Sequence, residues 1–168
     1  MALRFTLDEI ALLGASIDLL TGPSLILPMY LPEAPERSDN AIRITTALAR
    51  AQGVVIASPG YHGAPSGLIK NVLDYVEDLR EHACPYLEGR AVGLIACASG
   101  WQATGTTLIT MRSIVHALRG WPTPLAVTIN SSEKVFSADG TPLSANLGVQ
   151  LRAVAAQVVD FARNRGPF

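Results

Sequence analysis

The stretch Val54–Leu79, VVIASPGYHGAPSGLIKNVLDYVEDL, decides how the rest of the chain is read. It opens with an uninterrupted apolar run, Val54 to Ala57, that lacks the alternation of a sheet with one face in water. A strand of this kind is buried on both faces, as in a parallel sheet covered by helices. Pro, Gly, Ser, Tyr and His dominate from Ser58 to Gly67, and a helical pattern then runs to about Glu81. A segment with so little bulk, directly after a buried strand, exposes backbone where open α/β sheets receive ligands.

Working outward, Ala91–Ala98 (AVGLIACA) is a second wholly apolar strand, and Leu125–Ile129 a third. Leu3, Leu7, Ile10 and Gly14 recur at helical spacing, so residues 3–14 read as an amphipathic helix. Ser16–Leu20 reads as a short strand closed by Thr21-Gly22-Pro23. Pro23, Pro28, Pro32 and Pro35 exclude a central strand or helix interior as far as Arg37, leaving a loop that crosses a sheet edge. Ser38 or Asp39 caps a helix running to about Gln52, with Gly53 as its stop. SGWQATGT reads as a second small loop before a helix from about Thr106 to Leu118. A hairpin turn is expected at Ala138-Asp139-Gly140, and a last helix over 145–164 with Ser144 as its cap. Strands interleaved with helices over 168 residues specify one α/β domain, 1–168, with a parallel sheet and helices on both faces.

Composition removes several classes of function. A net charge of −1 gives no electrostatic footprint for nucleic acid or a membrane surface. No apolar run approaches the roughly 18 residues of a membrane span. Asp8 and Glu9 interrupt what a secretory signal would keep apolar, so a cytoplasmic protein is expected. Cys84 and Cys97 form no metal-like spacing, and Cys97 reads as a small core residue, so no metal site is expected. The strand end at Ser58-Pro59-Gly60 has no clustered acids for a phospho-receiver, and no G-x-S-x-G or G-x-x-x-x-G-K-S/T string is present.

Pro59, Gly60, Tyr61, His62 and Gly63 offer backbone donors and acceptors, an aromatic ring and an imidazole; Gly60, Gly63 and Gly67 permit positive φ. Ser99, Gly100 and Trp101 add a second backbone run and another aromatic face. Edge hydrogen bonds with ring stacking would suit a planar heteroaromatic ligand. Duller readings stand beside this one: Tyr61 covers the sheet end, His62 is a plain loop histidine, and Lys70–Asp74 is a solvated i,i+4 pair. Trp101 either stacks on a ligand or packs at a subunit contact.

The string SPGYHGAPSGLIKNVLDY, through Ser58, Pro59, Tyr61, His62, Gly63, Lys70, Asn71 and Asp74, resembles the signature of the NADPH-dependent FMN reductase family. The GPSLILPMYLP stretch, SGWQATG and the Phe136–Leu143 excursion are similar to the family as well. The resemblance implies a flavodoxin-like three-layer sandwich with FMN on Pro59–Gly63, flanked by Ser99–Trp101. It further implies NADPH or NADH as hydride donor and free flavin, a quinone or another small molecule as acceptor. The chemistry belongs to the flavin, so no catalytic side chain is assigned. A homodimer or homotetramer is implied, with the EDLREH helix end helping to pair subunits.

Members of the family begin with a strand and a Gly/Ser-rich phosphate loop, whereas Met1 here already lies in the helix that follows them. With strand order 2-1-3-4-5 the first strand, missing or truncated here, falls between 16–20 and 54–57. Two expectations compete: the natural chain starts about 15 to 25 residues earlier, a number set by one strand plus a short loop, or a short chain has become a flavin-poor binding or assembly module.

Overall fold

In the computed structural model, which describes residues 1–166, the sheet is built around two long parallel strands. The last two positions of the expected 1–168 domain lie outside the described residues. Strand β1 (Gly53–Tyr61) turns back into β2 (Ala64–Pro65), and β3 (Ala91–Ala98) lies parallel to β1, Gly53 opposite Ala91 through Pro59 opposite Cys97. The other edge of β3 is shared by two short parallel strands, β4 (Trp121–Pro122) at its start and β5 (Val127–Asn130) at its end. Helices α1 (Ala2–Leu12), α2 (Asp39–Arg50), α3 (Gly67–Asp74), α4 (Trp101–Ala117) and α5 (Ala145–Arg165) supply the outer layers.

Alternation along the strands divides the core. Ile56, Val92, Leu94 and Ala96 pack with Leu73, Val76, Met111 and Val115 from the α3 and α4 side. Ile95 and Val127 pack with Leu147, Leu151 and Val154 of α5, and Ile10 of α1 joins Ala155 and Val159. Glycine sets how closely α5 approaches. A Cβ on Gly93 would lie 2.6 Å from Val154 Cγ1, and one on Gly53 2.6 Å from Val158 Cγ1. Gly53 is therefore a packing residue at the start of β1; α2 ends three residues earlier, with Ala51 as its C-cap. At that same end the fully buried Arg90 donates to the carbonyls of Ala49 and Ala51, each at 2.8 Å, and so gathers the end of α2 against the sheet.

Several expectations change. β1 continues four residues beyond Ala57, so Pro59–Tyr61 is strand rather than loop. α4 begins five residues before Thr106, turning most of the second loop into helix. Tyr75–Leu79 tightens into a 3₁₀ turn after α3, and β4 went unread because two residues show no period. Ser38 caps α2 as expected, its Oγ accepting from Ala41 N at 3.3 Å. Ser144 stands at the N-cap of α5 without a side-chain bond. The hairpin near Asp139 forms, with Phe136 bridging Pro142 and Gly140 at φ +88°.

The largest departure is Ser16–Leu20, which forms no strand. An extended segment becomes a strand only by pairing, and between this segment and β1 lies a trough of about 1520 Å³. On that side β1 has only β2, which meets it at Gly60 and Tyr61.

Replacing Gly93 with valine forces a branched side chain into the stiff Val154 rotamer. The expected result is a loss of about 1–3 kcal/mol in urea denaturation, with the same value at Gly67, which is exposed with nothing within 4 Å of an added Cβ, as the contrary outcome.

Candidate functional site

Beyond Ala57 the chain makes a two-residue hairpin. Tyr61 pairs with Ala64, leaving His62 (φ 53°) and Gly63 (φ 83°) as the two turn residues. Positive φ at both positions is the twist-matched hairpin turn, for which Asn-Gly sequences are favoured and in which His is tolerated. The His-Gly pair thus has a backbone reason, and the exposed His62 side chain is spare. Ser58 clasps the hairpin: Ser66 N donates to Ser58 Oγ and to Pro59 O, both at 3.0 Å. Ser66 then caps α3, its Oγ accepting from Ile69 N at 3.3 Å. Gly60 is needed for proximity, since a Cβ there would sit 2.2 Å from Thr107 Oγ1. Of the three glycines expected to supply positive φ, only Gly63 does so.

The second wall is the start of α4. Gly100, at φ +97°, reverses the chain after β3, and its N–H donates to Asn130 Oδ1 at 2.8 Å. Asn130 Oδ1 also accepts from Ser132 N at 3.2 Å and Ser132 Oγ at 2.7 Å, tying this corner to the end of β5. Thr104 N donates to Gly100 O at 3.2 Å, so the amides of Trp101, Gln102 and Ala103 come before that first helical bond. No side chain caps them. Such amides carry the positive end of the helix dipole and suit a ligand edge rich in acceptors.

The two walls enclose one hollow of about 440 Å³, lined by Gly63, residues 99–103 and Thr106. Thr110 Oγ1 donates to Gly63 O at 2.9 Å, fixing the turn to α4. Of the eight residues expected from sequence, the structure brings Gly63, Ser99, Gly100 and Trp101 to this hollow. Pro59 and Gly60 lie behind it in β1, and the exposed Tyr61 and His62 stand at the hairpin tip outside the lining. Gly100 N–H, committed to Asn130, leaves the next three amides as the donors. No Lys or Arg lines the hollow, and its polar donors are main-chain amides. The described residues contain no group of three or more His, Cys, Asp or Glu able to hold a metal.

A strap from residue 22 to residue 37 lies on α3. Asn71 takes it as a strand neighbour would: Tyr30 N donates to Asn71 Oδ1 and Asn71 Nδ2 donates to Pro28 O, each at 2.9 Å. Tyr75 Oη donates to the same carbonyl at 3.1 Å. Arg37 closes the strap on Asp78 through Nε at 2.7 Å, with its guanidinium over the Tyr30 ring. That bond to Asp78 raises the Arg37 pKa, and burial followed by the Asp78 charge raises the Tyr30 phenol. Lys70 and Asp74 form the exposed helix pair expected from their spacing. Asn71, Thr110, Thr107 and Asn130 were not found as site builders. Asn71 carried a signal as part of the ordered string; the other three act across 30 or more residues of sequence and carried none.

A sequence model of the family described as NADPH-dependent FMN reductase matches residues 1–134. The FMN-dependent NADPH-azoreductase of Staphylococcus aureus (strain USA300) is 29% identical over 135 residues, 79% of this chain and 68% of that protein. Its Staphylococcus saprophyticus counterpart is 32% identical over 130 residues, 75% of this chain and 64% of that protein. Among solved structures, FerB, a flavoenzyme NAD(P)H:(acceptor) oxidoreductase from Paracoccus denitrificans, superposes with a TM-score of 0.76 at 19% identity, covering 98% of this chain and 90% of its own. The apo NADH:FMN oxidoreductase EmoB gives 0.65 at 18% identity, over 97% and 80%. The architecture is flavodoxin-like.

Asn130→Ala removes the acceptor of the Gly100 amide. Hydrogen exchange at that amide should quicken about tenfold, the equivalent of one lost bond, while the amides of Val92–Ala96 keep their rates; an unchanged Gly100 rate would refute the assignment.

Proposed function

This chain belongs to the NADPH-dependent FMN reductase family, and on that premise we propose that the hollow between the His62–Gly63 turn and the start of α4 seats the ring of FMN. The activity is that of an NAD(P)H-dependent flavoprotein oxidoreductase. The observation that carries the site is the convergence of Gly63 and the uncapped amides of α4 on one hollow beyond β1 and β3.

FMN supplies the redox chemistry when bound, taking a hydride from NAD(P)H and delivering electrons to an acceptor. The chain's own part is placement. The amides of Trp101, Gln102 and Ala103 would hold the ring by donating to its acceptors. Thr110 ties the Gly63 carbonyl to α4, and Asn130 fixes the level of Gly100. The exposed Trp101 indole, at the rim, shields the ring from water. Pro59, Gly60, Tyr61 and His62 act through the hairpin that carries Gly63. No side chain needs to exchange a proton for hydride transfer, so none is assigned as catalytic.

The acceptor is a small planar molecule, an azo compound, a quinone or a free flavin; the azoreductase relatives support the first. We propose a cytoplasmic protein; that it is a homodimer or homotetramer is supported by the exposed Trp101, Ile109 and Trp121. No helix among the described residues is long and apolar enough to cross a membrane.

Titration of the protein with FMN, followed by NADPH consumption with an azo dye or a quinone as acceptor, tests this reading. Trp101→Ala should weaken FMN binding roughly tenfold, the scale of one lost aromatic contact. Protein that neither binds FMN nor consumes NADPH would instead support a flavin-free module.

A further inference from the structure

Helix α4 carries four threonines in its first ten residues, Thr104, Thr106, Thr107 and Thr110. Three of them use the hydroxyl as a threonine inside a helix ordinarily does, on a carbonyl three or four residues back. Thr104 donates to Trp101 O at 2.7 Å, Thr106 to Gln102 O at 3.2 Å and Thr110 to Thr106 O at 3.1 Å. Thr107 does not. It is fully buried, and its Oγ1 has no hydrogen-bond partner among the described residues. A buried hydroxyl without a partner costs stability that a methyl in its place would not.

What holds it there lies across the contact with β1. The hydroxyl has turned from its own helix toward Gly60. A Cβ built on Gly60 would lie 2.2 Å from Thr107 Oγ1 and 3.1 Å from Thr107 Cβ, with Ala98 Cβ at 3.3 Å. The Gly60 Cα–H on that side therefore points at the hydroxyl oxygen. A Cα–H facing oxygen settles at about 3.3–3.6 Å between heavy atoms, whereas two carbons rest at about 3.5–4.0 Å. Oxygen at this point lets the end of β1 stand about 0.3 Å nearer to α4 than a methyl would. Gly60 is paired with Pro65 and Tyr61 with Ala64, so the spacing passes along the hairpin to the turn at Gly63. There Thr110 Oγ1, one helical turn on, bonds Gly63 O at 2.9 Å. Two supports, one steric and one bonded, thus set how far the hairpin stands from the helix whose first residues form the opposite wall of the hollow.

We infer that Thr107 is a positioning residue for the flavin site, its unbonded hydroxyl serving as the narrow spacer that sets the width of the hollow. The inference rests on the hollow being the flavin seat; Thr107 itself is not part of its lining.

Two variants separate spacing from packing. Thr107→Val puts a methyl where the oxygen stands. The urea midpoint should hold or rise, while FMN binding, followed by flavin fluorescence, weakens about three- to tenfold, the scale of one loosened hydrogen bond. Thr107→Ser keeps the oxygen and loses the methyl. The midpoint should fall, while FMN affinity stays within about twofold of the unaltered chain. Unchanged affinity with valine, or a loss with serine as large as that with valine, would overturn the inference. A midpoint lowered by valine as much as by serine would make Thr107 a packing residue, with the same consequence.

A further measurement needs no flavin. Thr110→Val removes the bond to Gly63 and should lower the midpoint of the unaltered chain. In the Thr107→Val background, where the hairpin stands off, that loss should shrink by about half or more. Additive losses would overturn the spacer whatever the flavin result. Coupling in a protein that binds no FMN would instead overturn the flavin reading, and with it the role of Thr107 in the site, while the spacing itself stood.

Discussion

The close seating of α5 on the β1–β3 pair is the constraint from which the rest of the structure follows. Gly53 and Gly93 remove the side chains that would hold Val158 and Val154 away, so helix and sheet meet backbone to methyl. That contact fixes the two strands at one level, with Pro59 opposite Cys97. The β1–β2 hairpin and α4 both leave the sheet from that level. The hollow between them is a consequence of strand register, before any side chain in it is considered.

Chemistry and scaffold are divided unusually cleanly here. The hollow presents main-chain amides, and polar side chains nearby spend their hydrogen bonds holding that main chain in place. Thr110 holds Gly63, Asn130 holds Gly100, and Ser58 clasps the return to α3. The ordered string from Ser58 to Asp74 acquires a physical reading in the same terms. Ser58 is the clasp, His62-Gly63 the turn, Asn71 the anchor for the strap, and Lys70 with Asp74 an exposed pair on the helix surface. Thr107 is the exception, its buried hydroxyl lying under Gly60 with no hydrogen-bond partner among the described residues.

The three-layer architecture was legible because Val54–Ala57 and Ala91–Ala98 are apolar without alternation, a pattern that only a doubly covered sheet tolerates. The two walls of the site were legible as regions for the same reason, as polar, glycine-rich breaks after those strands. Which atoms face the hollow was not. Pro59–Tyr61 looked like loop because proline and glycine are poor strand formers, yet Ser66, several residues on, bonds back and holds them extended. Trp101–Gly105 looked like loop because of Gly105 and the preceding Gly100, and Asn130 at the far end of β5 stabilises the reversal from which α4 starts. Ser16–Leu20 was read as strand from composition that does suit one; its strand character depends on a neighbour across the trough.

The grip of Asn71 on the strap has a consequence of its own. It takes hold of peptide groups, at Leu27, Pro28 and Tyr30, and not of the side chains they carry. The side chains of Ile26, Met29 and Leu31 are exposed. The hold on the strap is therefore independent of those three side chains, and substitution there leaves the bonds to Asn71 in place.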